Sequence, residues 1–389
     1  MSDLTQSTPP TPPDGRPAVT PPKEPTRADA KTGGALGYLL GHQSWVVILV
    51  ALLVAMAIGA ALIRYQGVSP LYAYETLIKE ALFVDGGLTR TLQKTAPLIL
   101  TGLAVVLPLR VGLFNIGGQG QLNFGAIAGA WLGYAFSGWG PLGAVMGMLA
   151  GAVAGAGIAW IAGALKAWRG VHEVISTIMM NSISVGITWW LVQGPLQAES
   201  AKVSKIPQTE EIPAVARVGN LVGVPVAFLI ATVLAVLCWW MLRKTTLGFK
   251  FDTVGKNKHA ALYAGVPINR IVILSMVFGG GLAGLAGALE VSGVLHRFEP
   301  AITGTLGFDG ITIALLARSN PLATLPAAFL VGTLRTGAGG LQFATGIAPE
   351  IVDLLLAIIL LMVSIPVLGK WIFRSRADKV QASATSWGA

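Results

Sequence analysis

Long apolar runs, separated by polar or glycine-rich breaks, fill most of the chain from residue 45 onward. The longer runs match the ~20 residues that an α-helix needs to cross the hydrocarbon core of a bilayer. A membrane β-barrel would instead show shorter segments of alternating polarity. The pattern predicts an all-α fold, a polytopic transmembrane helical bundle of about ten spans with broken half-helices. The runs are 45–63, 95–109, 124–136, 142–165, 172–192, 224–242, 271–294, a short run ending at 317, 322–334 and 351–368.

Composition supports insertion into a membrane. Hydrophobic residues make up 53% of the chain and charged residues 12%, whereas soluble domains carry about 25% charged residues. The single cysteine, Cys238, lies in an apolar run, so neither a disulfide framework nor a cysteine-based metal site is available. His172 and Glu173 are adjacent and point away from each other on a helix, which argues against a metal site or an acid–base pair. We therefore predict no metal ligand and no catalytic residue.

The chain divides by composition into three parts. Residues 1–34 are rich in Pro and Thr and nearly lack large apolar side chains, which predicts a disordered cytoplasmic tail. Residues 35–370 hold the transmembrane domain, and residues 371–389 form a basic cytoplasmic tail. Within the domain, residues 64–93 mix charged and apolar positions. They fit either a short amphipathic helix at the membrane surface or a solvated loop.

Basic residues predict the orientation. With both tails on one side, about two thirds of the 27 Lys and Arg residues fall on that side, which the positive-inside rule identifies as the cytoplasm. We therefore expect a multi-pass protein of a bacterial cytoplasmic (inner) membrane, with both termini cytoplasmic and residues 193–222 as the longest external loop. The same distribution accounts for the net charge of +9 without a nucleic-acid partner.

A polar, glycine-dense break at residues 112–125 interrupts the apolar sequence. Its amides are Asn115, Gln119, Gln121 and Asn123. Buried amides and freed backbone groups cost several kcal/mol each inside a bilayer unless protein or a watery cavity satisfies them. The break is therefore a tight joint between helices, an ordinary aqueous loop or the lining of a pathway.

A second break, at residues 295–310, has a similar character. It contains Asp309 and precedes an apolar run that is too short to cross the bilayer alone, which indicates a half-helix with its N-terminus in a cavity. Asn181 lies inside the fifth span, where its amide requires a partner from a neighbouring helix or from a substrate.

Glycines spaced by four residues predict close helix packing in two spans. Such spacing places the small residues on one helical face, and the backbone of another helix can then approach closely. The stripes are Gly125, Gly129 and Gly133 in the third span, and Gly143, Gly147, Gly151 and Gly155 in the fourth.

The basic stretch at 243–270 contains a short helix with clear end signals. Asn257 is a candidate N-cap, Gly265 a candidate C-cap and Pro267 a stop. Its small residues Ala260, Ala261 and Ala264 could form a face that fits into a groove on a partner. A plain surface helix is the alternative.

The chain carries no nucleotide-binding loop of the form GxxxxGK[ST]. Residues 250–257 come nearest, but a lysine replaces the first glycine and Asn257 replaces the final Ser or Thr. Active transport would therefore need a separate ATPase or coupling to an ion, for which Glu290 and Asp309 are the acids within the spans.

Four motifs, in order, resemble the permease subunits of bacterial ABC importers. They are Leu-Phe-Asn-Ile-Gly-Gly-Gln-Gly-Gln at 113–121, His-Glu-Val-Ile-Ser-Thr-Ile-Met-Met-Asn at 172–181, Val-Gly-Lys-Asn-Lys-His-Ala-Ala-Leu-Tyr-Ala-Gly at 254–265, and Gly-Phe-Asp-Gly-Ile-Thr-Ile-Ala-Leu-Leu-Ala-Arg-Ser-Asn-Pro at 307–321. The resemblance covers about residues 70–370 and is nearest to the nucleoside and simple-sugar branch of the branched-chain amino acid-type permeases. Members of that family more often have Asn at His172 and Ala-Glu at Gly118 and Gln119.

The resemblance implies a type II importer fold and an ATP-driven transport function. The chain would translocate nucleosides, with simple sugars as the alternative substrate and a stand-alone ion-coupled secondary carrier as the alternative class. It implies a second permease subunit, identical or homologous, two cytoplasmic ABC ATPases that bind the ATP, and an extracytoplasmic substrate-binding lipoprotein. The chain itself would be no enzyme and hold no cofactor.

The resemblance also implies two sets of functional residues. Amides both donate and accept hydrogen bonds, which suits the hydroxyls and base edge of a nucleoside. The expected substrate path is Asn115, Gln119, Gln121, Asn123, Asn181 and Asp309. The expected coupling helix, which docks on the ATPase, is Asn257, Ala260, Ala261, Tyr263, Ala264 and Gly265.

Overall fold

The computed structural model of the protein describes residues 43–300 and 304–364. Both predicted tails, 1–34 and 371–389, lie outside these residues. The chain divides into two units, residues 1–47 and residues 48–389. In the first unit, the structure describes only residues 43–47, which form the start of the first helix.

Most of the described residues are helical. The helices are α1 (Gln43–Tyr65), α2 (Pro70–Ile78), α3 (Gly87–Arg110), α4 (Gly118–Ala135), α5 (Pro141–Arg169), α6 (Glu173–Gln193), α7 (Glu199–Ser204), α8 (Val226–Lys244), α9 (Thr246–Lys256), α10 (Lys258–Tyr263), α11 (Ile268–Glu290), α12 (Leu306–Leu316), α13 (Thr324–Thr345) and α14 (Glu350–Ser364). Short π-helices extend α2 over Lys79–Phe83 and α11 over Val291–Leu295. Single 3₁₀ turns cover Ser137–Trp139, Ala214–Ala216 and Pro321–Ala323. One two-stranded antiparallel hairpin joins β1 (Asn220–Leu221) to β2 (Val224–Pro225).

Fewer spans stand out than the roughly ten predicted from apolar runs. In the described ranges, five helices are long and apolar enough to cross a membrane: α3, α5, α6, α8 and α11 with its π extension. Two further pairs of helices are together long and apolar enough, but each pair is bent at a short break. The end of α1 and α2 are bent by 115°, and α12 and α13 are bent by 119°. If each pair counts as one span, the number rises to seven. The amides and glycines at the start of α4 lower its hydropathy, and α14 is described over only 15 residues. The fold is nevertheless the predicted polytopic helical bundle.

The region 64–93, for which a helix and a loop were both open, is largely helical. α2 buries Ala73 and Leu77, and its axis turns sharply from that of α1. Gly337 of α13 packs directly on the backbone of Leu77. This segment is therefore packed against the bundle along one face.

Helix α3 lies at the centre of the bundle. In its most apolar window 78% of the residues are buried inside the protein, against 28% for α5, α6 and α8. It contacts α8, α11, α12 and α13, and the side chains of Leu98, Ile99 and Leu103 are fully buried. An evenly apolar sequence does not distinguish a helix surrounded by protein from one surrounded by lipid.

Both predicted glycine stripes are packing surfaces, as expected. A Cβ added at Gly151 of α5 would lie 2.9 Å from the carbonyl oxygens of both Gly125 and Gly284. A Cβ at Gly147 would lie 2.8 Å from the carbonyl oxygen of Gly129. The backbones of α4, α5 and α11 thus touch without an intervening layer of side chains.

Candidate functional site

The two sequence breaks lie against each other at the start of α4 and α12. The backbone N–H of Gly307 donates a 2.8 Å hydrogen bond to Oε1 of Gln119. A Cβ at Gly118 would lie 3.0 Å from the carbonyl oxygen of Gly307. The N-termini of α4 and α12 therefore meet inside the bundle. Because the N-terminus is the positive end of a helix dipole, two positive ends lie close together here.

A pair of amides holds the irregular segment before α4. Asn115 and Gln121 exchange two hydrogen bonds, each 3.0 Å long, and both side chains are buried. Oδ1 of Asn115 also accepts the N–H of Gly117 at 3.0 Å, and Nδ2 donates to the carbonyl oxygen of Ala104 at 3.4 Å. The cost of burying these amides is offset because each finds a polar partner.

Asn181 of α6 ties its helix to the start of α4. Its Oδ1 accepts the N–H of Gly120 at 2.8 Å, and its Nδ2 donates to the carbonyl oxygen of Ile116 at 3.0 Å. Ser184, one turn further along α6, donates to the carbonyl oxygen of Gly120 at 3.0 Å. Gly120 supplies one of the backbone N–H groups that a helix start leaves without an internal partner. The partner that the sequence required for Asn181 is therefore a neighbouring helix.

The five predicted amides form one buried cluster. Gln119 also donates to Oδ1 of Asn123 at 3.3 Å. All five are less than a tenth exposed. The sequence allowed three interpretations of the break at 112–125: a tight joint between helices, an aqueous loop or the lining of a pathway. The buried contacts of these amides agree with a tight joint and exclude an aqueous loop. Their role in a substrate path stays a prediction.

Asp309, the sixth predicted path residue, is paired with an arginine that the sequence reasoning did not single out. Nη1 of Arg335 lies 2.6 Å from Oδ2 of Asp309, and Nη2 donates to Oδ1 at 3.0 Å. Nη2 also contacts Oγ1 of Thr305 at 3.1 Å and Oδ1 of Asp353 at 3.5 Å. The orientation predicted from the basic residues places Arg335 on the external side. A basic residue at the end of an apolar run, with an acid in the preceding half-helix, was the signal available.

The predicted end signals of the short basic-loop helix are confirmed. The side chain of Asn257 accepts the N–H of Ala260 at 3.0 Å. Gly265 has φ of +72°, a left-handed conformation that favours glycine. The N–H of Val266 reaches back to the carbonyl oxygen of Ala261 at 3.0 Å, so the helix ends in a regular capping motif.

The alanine face expected on this helix is not presented as one surface. Ala260 and Ala264 are exposed, but Ala261 is fully buried and belongs to the core of the domain. Adjacent helical residues point about 100° apart, so Ala260 and Ala261 cannot share an outward face when α10 packs on the bundle. Of the two large hydrophobic side chains that this helix exposes, Tyr263, at 93%, is more exposed than Leu262, at 64%.

A basic cleft of about 650 Å³ lies beside this helix, at the end of α3. Arg110, Arg243 and Lys256 line it together with Asn257. Arg110 pairs with Asp252 of α9 at 3.5 Å. Its Nε also donates a 3.1 Å hydrogen bond to the carbonyl oxygen of Ser319, in the loop after α12. The central helix α3 is thus joined directly to the basic stretch 243–270, which contains the predicted coupling helix.

Comparison with known proteins points to one family. The sequence profile of the branched-chain amino acid transport system permease component matches residues 87–364. The chain is 35% identical to the guanosine ABC transporter permease protein NupP of Bacillus subtilis, over 82% of this chain and 92% of that protein. It is 34% identical to the nucleoside ABC transporter permease protein NupB of Lactococcus lactis, over 88% of this chain and 95% of that protein. It is also 34% identical to the glucose ABC transporter permease protein TsgB13 of Haloferax volcanii, with 79% and 84% covered.

Proposed function

This chain belongs to the family of branched-chain amino acid transport system permease components, and from that premise we propose that it is the nucleoside-translocating subunit of an ATP-driven importer. It is a multi-pass membrane protein and a permease. The observation that carries the proposed substrate is similarity over nearly the whole chain to two permeases named for nucleosides. The proposed location is the bacterial cytoplasmic membrane with both termini inside.

The proposed path follows the buried amide cluster and Asp309. Amide groups both donate and accept, so the same side chains can bond protein groups in one state and ribose hydroxyls or a base edge in another. The contact between Gln119 and Gly307 joins the two half-helices. Separation of these half-helices would expose their polar ends to the substrate.

The energy is proposed to come from partner subunits. With no nucleotide-binding loop in its sequence, this chain would bind no ATP, hold no cofactor and catalyse no reaction. Two cytoplasmic ABC ATPases would supply hydrolysis, a second permease subunit would complete the path, and an extracytoplasmic lipoprotein would deliver the substrate. The exposed part of α10, with Tyr263 at its end, would contact the ATPase.

A simple sugar is the second candidate substrate. It is favoured by the 34% identity to a permease named for glucose. Sugars and nucleosides share hydroxyl groups, so the amide cluster alone does not separate them. The stand-alone ion-coupled carrier receives no support from these three relatives, each of which is named as an ABC transporter permease.

The deciding experiment is uptake of radiolabelled substrates in cells that lack the gene, with and without a plasmid copy. We expect the plasmid to restore nucleoside uptake and to leave glucose uptake unchanged. Unchanged uptake of every purine and pyrimidine nucleoside would reject the substrate class. Accumulation by vesicles that contain only this chain would reject the ATP-driven mechanism.

A further inference from the structure

A second cavity lies away from the amide cluster, between the end of α4 and the segment that follows α6. It is an open pocket with a volume of about 230 Å³. Trp131 and Tyr134 form one wall, while Gln197, Thr209 and Glu210 come from the opposite segment. Trp131 follows Asn123 by eight residues, which places it about 12 Å further along α4. The cavity is therefore separate from the predicted path.

Polar groups that face this cavity have unused hydrogen-bonding capacity. Among the described residues, the side chains of Gln197, Tyr134 and Trp131 form no hydrogen bond. Glu210 uses one carboxylate oxygen, which accepts the N–H of Glu199 at 2.7 Å. Its second oxygen remains available. A concave site with aromatic walls and a few convergent polar groups is the usual form of a small-molecule site.

The segment that carries these groups is held in place. The N–H of Thr209 donates to the carbonyl oxygen of Phe298 at 3.0 Å, and Oγ1 of Thr209 accepts the N–H of Phe298 at 2.9 Å. The N–H of Ala198 donates to the carbonyl oxygen of Gln208 at 2.9 Å. The backbone of this wall is therefore built before any ligand arrives, which lowers the entropy cost of binding. The opposite wall is formed by Trp131 and Tyr134 of α4, whose side chains are 51% and 43% exposed.

The chemistry of the walls matches a flat heterocycle with N–H donors on its edge. Aromatic side chains stack on the face of a base. A carboxylate accepts from N–H groups, and an amide supplies both a donor and an acceptor. A base with two adjacent N–H donors, as in guanosine, meets a carboxylate oxygen and an amide oxygen. Adenosine offers a ring acceptor in the corresponding position and would face the carboxylate unfavourably.

We propose that this cavity is a binding site for purine nucleosides whose base presents N–H donors, occupied before the substrate enters the path. The inference rests on the proposed nucleoside transport. The cavity includes part of the loop 193–222, which the charge distribution predicts to be external. The site would thus select the substrate on the side from which it arrives. If Trp131 and Tyr134 only anchor the protein at the membrane interface, this cavity does not distinguish guanosine from adenosine.

The kinetic test uses the complete transporter, with its ATPase and lipoprotein, and compares guanosine with adenosine. Glu210→Gln keeps an oxygen for the N–H of Glu199 but replaces a carboxylate acceptor with an amide. We expect it to raise the KM for guanosine about tenfold, leave the maximal rate unchanged and leave the KM for adenosine unchanged or lower. Trp131→Ala is expected to raise both KM values at least about fivefold, and Trp131→Phe to restore most of the loss. Trp139→Ala, an exposed tryptophan outside the cavity, is the matched control.

A binding test separates this site from the transport proposal. Cys238, the only cysteine of the chain, is replaced by Ala, and Ala135→Cys places one thiol in the cavity wall without removing a polar group. Guanosine is expected to slow labelling of this thiol by a maleimide, and Glu210→Gln to weaken that protection. Labelling that guanosine leaves unchanged overturns the site, whether or not nucleosides are transported. Variants at Trp131 and Glu210 that behave like Trp139→Ala, in a transporter that does take up nucleosides, overturn it as well.

Discussion

Arg335 of α13 forms a two-point ion pair with Asp309 in the first turn of α12. The guanidinium nitrogens lie 2.6 and 3.0 Å from the two carboxylate oxygens. The same guanidinium contacts Thr305, which precedes α12, and Asp353 of α14. One arginine therefore fixes the start of the half-helix relative to two other helices. Both side chains of the main pair are mostly buried, at 21% and 15% exposure.

Arg335→Gln is expected to destabilise the permease. Loss of one partner of a buried ion pair leaves the other charge uncompensated and costs about 3 kcal/mol or more. The melting temperature of the purified complex should fall by several degrees, and uptake should fall with it. The exchange of charges in Arg335→Asp with Asp309→Arg should recover part of the loss. Arg297→Gln, which breaks a 2.6 Å pair with a residue only two positions away, should have little effect, and an equal effect would contradict the assignment.

Asn181→Ala is expected to loosen the junction between α6 and α4. It leaves the N–H of Gly120 and the carbonyl oxygen of Ile116 without their partner, at a cost of about 1–3 kcal/mol. Asn181→Asp should also destabilise, because a carboxylate oxygen would then face the carbonyl oxygen of Ile116. Thermal melting of both variants, beside Asn220→Ala in the exposed hairpin, tests this. Wild-type melting in both Asn181 variants would show that the two hydrogen bonds do not hold the junction.

Gly284→Ala is expected to prevent correct packing of α11 on α5. Its Cβ would collide with the backbone of Gly151, and backbone cannot move aside as a flexible side chain does. Gly281→Ala is the matched control in the same helix, because its Cβ would meet its nearest neighbour, the carbonyl oxygen of Ala152, at 3.6 Å. Glycine to alanine in a helix is otherwise favourable by about 0.5–1 kcal/mol. The yield of folded, membrane-inserted protein should drop only for Gly284→Ala, and an equal drop in both would remove the packing argument.

Tyr263→Ala is expected to weaken association with the ATPase while it leaves the bundle intact. Tyr263 is 93% exposed at the end of α10, so its removal costs the isolated chain little. Tyr65→Ala, at 91% exposure on the end of α1, is the control. Co-purification of the ATPase measures the effect, and undiminished recovery with Tyr263→Ala would place the contact elsewhere. The expected coupling helix also offers Ala261→Arg as a probe, but Ala261 is fully buried and the variant would disturb the fold itself.

Local signals in the sequence predicted most helices and both breaks. Apolar runs set the helix positions, and Asn257 and Gly265 marked the ends of α10 correctly. The start of α4 at Gly118 lies about two turns before the predicted apolar run. The amide-rich residues there can be helical because the side chains of Asn181 and Asn115 accept hydrogen bonds from the backbone N–H groups of Gly120 and Gly117, at and just before the start of the helix. Periodicity along one segment contains no information about such partners.

Contacts between distant segments were beyond the sequence pattern. Gln119 and Gly307 are separated by 188 positions, and each break was recognised without its partner. Arg335 appeared as one more external charge until Asp309 was placed beside it. The burial of Ala261 depended on how α10 packs, which a helix of six residues does not reveal by its own pattern. The segment 193–222 was expected to be a loop, but it contains α7 and the first strand of the hairpin.

The glycine contacts among α4, α5 and α11 also bear on how the permease can move. Where the backbones of two helices are in direct contact, no side chains lie between them whose rotamers could change as the helices slide past each other. These three helices must consequently travel as one rigid block during any cycle of opening and closing. The displacement has to be absorbed elsewhere, where long side chains bridge the gap and a change of rotamer can accommodate a shift.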